Sequence, residues 1–297
     1  MTGHGGSRTA RHLPLALAIL SGLLVSCAPP SGLVLFDSLL AILDPGSAGA
    51  YTSFRSAGTR WTAREYPIQD PSAIFGEFLN RPPRIVLLSP LISSEYQAVR
   101  EAFPEAWVLG TGIPAGDRTI SAVWDPVPAA REAGARAGIF LRDREQDVPE
   151  PPEALILVSA GSGGSNAATE AFKEGLASVR PGTPIRIIEL SGQNGQADVL
   201  FRDFEGSGAK AVFLDAGAGG FRVVRSLREP PSLSGPPPGP RFTILRSPLT
   251  PPEDAVADLF LLRNTQILLQ GFRSALRAGK TGSISVPETA EPPPGSR

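Results

Sequence analysis

Short runs of continuous apolar residues constrain the fold of this chain more than any other feature. They cover residues 33–36, 84–88, 106–109, 120–124, 154–158, 185–188, 211–214 and 242–245, and most are closed by Ser, Gly, Asp or Pro. A strand with one face in water alternates apolar and polar residues. A run with no alternation suits a strand covered on both faces, as in a parallel sheet. Helical patterns lie between the runs. Residues 95–103 space Tyr96, Val99 and Phe103 three and four apart, and residues 128–141 are alanine-rich with interleaved charges. Residues 166–179 gather Ala167, Ala171, Phe172 and Leu176 on one side. Residues 264–278 do the same with Ile267, Leu268, Phe272, Ala275 and Leu276, and Gly279 follows as a stop signal. Strand and helix in alternation predict an α/β architecture, read here as two similar halves. The residues after Leu43, rich in Gly and Ala, read as a loop. The proline stretches 148–152 and 230–240 read as stiff surface loops.

The N-terminus carries an address. Arg8 and Arg11, with no acidic neighbour, lead into an apolar run over residues 13–25, and small residues then precede Cys27. That order predicts a signal peptide over residues 1–26. The run falls short of the roughly 20 residues a spanning helix needs. The tetrad Leu24-Val25-Ser26-Cys27 resembles the lipobox of bacterial lipoproteins. The resemblance implies cleavage before Cys27 and acylation of Cys27 with chains such as palmitate. Each buried CH₂ of such an anchor contributes about 0.8 kcal/mol. The mature chain is then held on the extracytoplasmic side of the cell envelope, in the periplasm or at the cell surface.

Cleavage there removes His4 and His12, the chain's two histidines, and acylation consumes its one cysteine. Catalysis by a Ser-His-Asp triad, by a His acid–base or by a Cys nucleophile is excluded in the mature chain, as are His/Cys zinc sites. One cysteine also precludes an intrachain disulfide. A carboxylate-only metal or glycosidase site stays open on composition, but no paired-carboxylate motif supports one. Arg8 and Arg11 leave with the leader, so 29 acidic residues slightly outweigh the remaining basic ones, which gives no footprint for nucleic acid. No enzyme activity and no cofactor are expected. Gly161-Ser162-Gly163-Gly164 could cradle an anion at a helix start, but no Lys-Ser or Lys-Thr follows to make it a nucleotide loop.

Residues 155–176, LILVSAGSGGSNAATEAFKEGL, resemble the first strand–loop–helix of the C-terminal lobe in type I periplasmic binding proteins. Further stretches resemble other units of that family in the expected order. They are RIVLLSPLISSEYQAVREAF, TISAVWDPVPAAREAGARAGIFL, AKAVFLDAGAGGFRVVRSL and TQILLQGFRSALRAGK. The resemblance implies two lobes, each a parallel sheet flanked by helices, with a ligand cleft between them. On that basis residues 1–26 are the signal peptide and 27–32 a tether. Residues 33–124 with 263–280 form the N-terminal lobe, 125–262 the C-terminal lobe, and 281–297 a flexible tail. The implied role is the receptor of an ABC-type importer for a small polar ligand of the sugar or nucleoside class. An envelope interaction or sensory lipoprotein that keeps the fold without a transport ligand is the alternative.

Ligands of that family sit at the C-terminal ends of parallel strands. The positions this selects are Asp37, Ser38, Ser89, Thr111, Asp125, Ser162, Ser165, Asn166, Asp215 and Arg246. Their hydroxyls and carboxylates could bind ligand hydroxyls, and Arg246 could pair with a carboxylate or face a ring. Each has a plainer alternative. Ser165 and Asn166 read as helix caps, and Asp125 before Pro126 reads as a turn opening. Phe36, Trp61, Trp107 and Trp124 could stack on a ring or pack in the core.

Overall fold

The computed structural model describes residues 31–56, 58–66, 71–144, 153–159, 165–190, 209–215, 241–247 and 257–293. These build two sheets of six strands each. The first sheet holds β1 (Ser31–Phe36), β2 (Arg60–Glu65), β3 (Ile85–Leu88), β4 (Trp107–Thr111), β5 (Thr119–Asp125) and β11 (Gly282–Pro287). The second holds β6 (Ala154–Ser159), β7 (Ile185–Leu190), β8 (Ala211–Asp215), β9 (Phe242–Ser247), β10 (Leu259–Leu262) and β12 (Thr289–Glu291). Their orders, β2-β1-β3-β4-β5-β11 and β7-β6-β8-β9-β10-β12, repeat one pattern. Every neighbouring pair is parallel except β10 with β12.

Both faces of each sheet are covered, which is why the strands lack polar alternation. In the first sheet Val34, Leu87, Leu109 and Ile120 face α2 (Pro45–Thr52) and α7 (Thr265–Arg277). Leu33, Leu35, Val86, Leu88 and Val108 join the opposite core with Ile74 of α3 (Pro71–Phe78) and Val99 of α4 (Tyr96–Ala102). In the second sheet Ile156, Phe213 and Ile244 pack with α5 (Val127–Asp143) and α6 (Ser165–Val179), and Leu155, Leu157, Val212 and Leu214 form the other core. Each such side chain taken from water contributes about 1.5–3 kcal/mol.

The chain passes between the sheets three times: from β5 into α5, from β10 into α7, and from β11 into β12. The last passage corrects an expectation. Residues 282–291, read above as part of a tail, form two paired strands. Ser283, Ile284, Ser285 and Val286 alternate, so the apolar pair faces α7 while the serines stay exposed. The Gly/Ala stretch after Leu43 is α2 rather than a loop. Asp44 caps it, accepting from the Ser47 N–H at 3.0 Å, and Pro45 occupies its first turn. The expected tether also ends early, because β1 begins at Ser31. The signal peptide, Cys27, both proline stretches and Ser162 lie outside the described residues. No described helix is long and apolar enough to cross a membrane.

Tyr51 of α2 is fully buried, and its hydroxyl has no hydrogen-bond partner among the described residues. Burial raises its pKa above the ordinary tyrosine value. Tyr51→Phe removes an unpaired polar atom and is expected to stabilise the fold by about 1 kcal/mol in urea unfolding. The pH sign follows from proton counting. Above about pH 10 the unfolded tyrosine loses its proton while the folded one keeps it, so stability falls as pH rises. Tyr66, its pKa raised by burial and then by its 2.9 Å hydrogen bond to Glu95, adds to the loss. Tyr51→Phe is expected to lose less stability than the parent between about pH 8 and about pH 11; equal losses would contradict this assignment.

Candidate functional site

A cavity of about 600 Å³ lies between the two sheets at the C-terminal ends of their strands. From the first sheet's side it is lined by Leu40, Leu43, Pro90, Leu91, Thr111, Ala122, Val123, Trp124 and Leu268, among others. From the second sheet's side come Arg246 and, in the passage from β10 to α7, Arg263. The described wall is therefore mainly apolar, with two guanidinium groups on one side and Asp44, Ser47, Thr111 and Thr265 as further polar lining residues.

Strand register sets those charges. In the parallel pair β8–β9, Leu214 stands opposite Leu245, so Asp215, the last residue of β8, and Arg246, one residue before the end of β9, stand side by side. Arg246 Nη1 donates to Asp215 Oδ2 at 2.8 Å. Its Nε and Nη2 donate to Glu288 Oε2 and Oε1, both at 2.8 Å, in a two-pronged pair. Glu288 sits in the third passage, between β11 and β12, with its side chain 1% exposed. Arg263 Nε reaches the same carboxylate at 3.4 Å. The Glu288 N–H donates to the Asp125 carbonyl at 2.9 Å. Glu288 thus joins all three passages between the lobes. Burial alone would lower the Arg246 pKa, but the hydrogen bonds and charges of Glu288 and Asp215 outweigh it, and the guanidinium stays charged.

Of the positions selected from sequence, Thr111 and Arg246 line the cavity, and Asp215 backs it through Arg246. Two others serve helix starts. Asp37 caps α1 (Ser38–Leu43), accepting from Leu39 N–H at 2.5 Å, and Asp125 accepts from Val127 N–H at 3.0 Å. Ser38 and Asn166 are exposed, and Ser165 opens α6. Ser89 is wholly buried and its hydroxyl has no partner among the described residues. Trp124 lines the cavity, whereas Trp61 packs edge-on to Phe54 at 4.8 Å and covers Gly32. Glu288 and Arg263 were not selected. The signal for Glu288 was the Ser/Ile/Ser/Val alternation before it, which marks a strand and makes residue 288 a strand end. Among the described residues no cluster of His, Cys, Asp and Glu could hold a metal ion.

Solved structures share this arrangement. A transcriptional activator of the comK gene from Bacillus halodurans superposes with a TM-score of 0.57 at 10% identity, over 90% of this chain and 92% of its own. An ABC transporter solute-binding protein from Aeropyrum pernix K1 gives 0.56 at 13% identity, over 87% and 74%. A periplasmic ribose ABC transporter protein from Conexibacter woesei gives 0.50 at 12%, over 89% and 92%. This is the type I periplasmic-binding-protein fold. At such identities the likeness establishes that fold and leaves chemistry to the site. In sequence, neither a family model nor a curated protein matches the chain. Glu288 and its two arginines stand where the three passages between the sheets come together.

Proposed function

We propose that this chain is a lipid-anchored extracytoplasmic solute-binding protein that closes its lobes around a small molecule and delivers it to an ABC-type importer. The observation that carries this reading is the 600 Å³ cavity at the facing strand ends, bordered by two of the three passages, at Pro126 and Arg263. Its volume falls in the range of small-molecule sites, about 300–1,000 Å³. A ligand that touches both lobes binds the closed form better and shifts the population toward it. Membrane attachment in this reading rests on Cys27 and its lipobox resemblance. The sugar or nucleoside class expected from the resemblance has thin support in the described wall, which has few side chains to pair with ligand hydroxyls.

A second reading, an envelope interaction or sensory lipoprotein, draws on the same apolar wall and on the activator with this fold. The open cavity and the convergence of Arg246 and Arg263 on it favour the receptor. The test is a thermal-shift screen of the chain from Ala28 against sugars, nucleosides, amino acids, organic acids and short peptides. A ligand at 100 times its dissociation constant is expected to add about 2.7 kcal/mol, visible as a raised midpoint. A flat response from a cooperatively melting protein would favour the interaction lipoprotein.

A further inference from the structure

The geometry points to an amphipathic organic monocarboxylate as the cleft ligand, its apolar body against the first lobe and its carboxylate on Arg263 and Arg246. This rests on the solute-binding reading above and names the class of solute.

Two independent features of the wall carry it. The first is the apolar side. Leu43, Leu91 and Val123 line the cavity yet remain 45%, 42% and 54% exposed. Leu39 and Ile42, on the same short helix as Leu43, are 49% and 75% exposed. Leu43, Leu91 and Val123, exposed together on one wall of the cavity, mark a surface suited to an apolar partner. The volume of the cavity, about 600 Å³, suits a small molecule as that partner. A sugar would cover these side chains with hydroxyls that find no partners there, and each unpaired buried polar group is costly.

The second feature is where the charges stand. Arg246 and Arg263 line the cavity, while their counter-ions, Asp215 and Glu288, lie behind them with side chains 7% and 1% exposed. An arginine has five N–H donors. Among the described residues Arg246 commits three of them, one on each nitrogen, so one N–H on each terminal nitrogen has no described partner. Among the described residues Arg263 commits only Nε, and at 3.4 Å, with its side chain 39% exposed. This four-residue network is neutral as a whole but turns its donors to the cavity, and the carboxylate that lines the opposite wall, Asp44, already accepts from the Ser47 N–H and hydroxyl. That polarity suits an anionic, planar, two-oxygen acceptor.

The experiment is isothermal titration calorimetry on the chain from Ala28, which contains every described residue. The probes are octanoate and 4-phenylbutyrate, their primary amides, ribose and adenosine. The carboxylates are expected to bind at least about tenfold more tightly than the matching amides. Arg263→Gln, at a half-exposed side chain, is expected to weaken the carboxylates by about tenfold and the amides by less than about twofold. Leu91→Ser is expected to weaken acid and amide alike. Unchanged melting midpoints would show that both variants fold. Equal affinity for acid and amide, or no effect of Arg263→Gln, overturns the assignment. Binding of ribose or adenosine without the carboxylates overturns it while leaving the receptor intact. Silence across all probes, with the thermal-shift screen also flat, overturns both.

Discussion

Glu288→Ala is expected to destabilise the protein by about 3 kcal/mol or more in urea unfolding. The Glu288 carboxylate supplies two of the three hydrogen bonds that hold the Arg246 guanidinium, and the Arg246 side chain is 10% exposed. Removing it leaves a buried cation with Asp215 as its remaining partner. Leaving one charge of a buried pair without its partner is far more costly than removing the pair. Glu288→Gln, which keeps one oxygen acceptor and the shape of the side chain, is expected to fall between parent and alanine. A loss below about 1 kcal/mol for Glu288→Ala would mean that water reaches the cluster and that Glu288 does not hold the passages together.

The second large effect lies at the crossing of α5 and α6. A Cβ placed on Gly134 would collide with the Phe172 carbonyl oxygen, and one on Gly175 with the Arg131 carbonyl oxygen. The obstacle in both cases is backbone, which cannot rotate away as a side chain tip can. The two helices meet through Ala129, Ala130, Ala133 and Ala137 on one side and Ala168 and Ala171 on the other, which permits this close approach. Gly175→Ala forces the axes apart and opens the core around Phe172, which stacks on Phe213 at 4.8 Å. The expected cost is about 3 kcal/mol or more, beyond ordinary overpacking. Gly134→Ala should match it, and the double variant should cost less than the sum, because the helices separate once. Gly49→Ala supplies the contrast. Nothing lies within 4 Å of that site in α2, so it should stabilise by about 0.5–1 kcal/mol. Equal outcomes at Gly49 and Gly175 would contradict the packing described here.

Legibility in the sequence tracked burial. All eight apolar runs are strands of the two sheets, and the four long helical patterns are helices. The strands that escaped notice are those whose sequences resemble something else. β2, Arg60–Glu65, lies at a sheet edge with polar side chains and one partner strand, so nothing in it distinguishes a strand from a loop. β10 is a four-residue apolar run leading directly toward a helix, and periodicity does not separate the two. β11 and β12 follow a helix stop and sit among prolines, the composition of a tail. At the site, Asp215 and Arg246 were legible because each directly follows a recognisable apolar run. Asp37 and Asp125 were placed near the cleft by the same logic, yet their carboxylates are spent on helix starts. A strand end identifies position and not orientation.

The sequence by itself determined the α/β class, the two-sided burial of the strands and the helices that cover them. These follow from local periodicity and composition, which every residue carries with it. The pairing of Glu288 with Arg246, 42 positions away, was decided only in three dimensions. So were the exposure of Leu43, Leu91 and Val123 to one cavity and the approach of Gly134 to the backbone of α6. Such contacts depend on strand register and on where the chain passes between lobes. Those are set by the joint packing of both sheets, and no short segment encodes them.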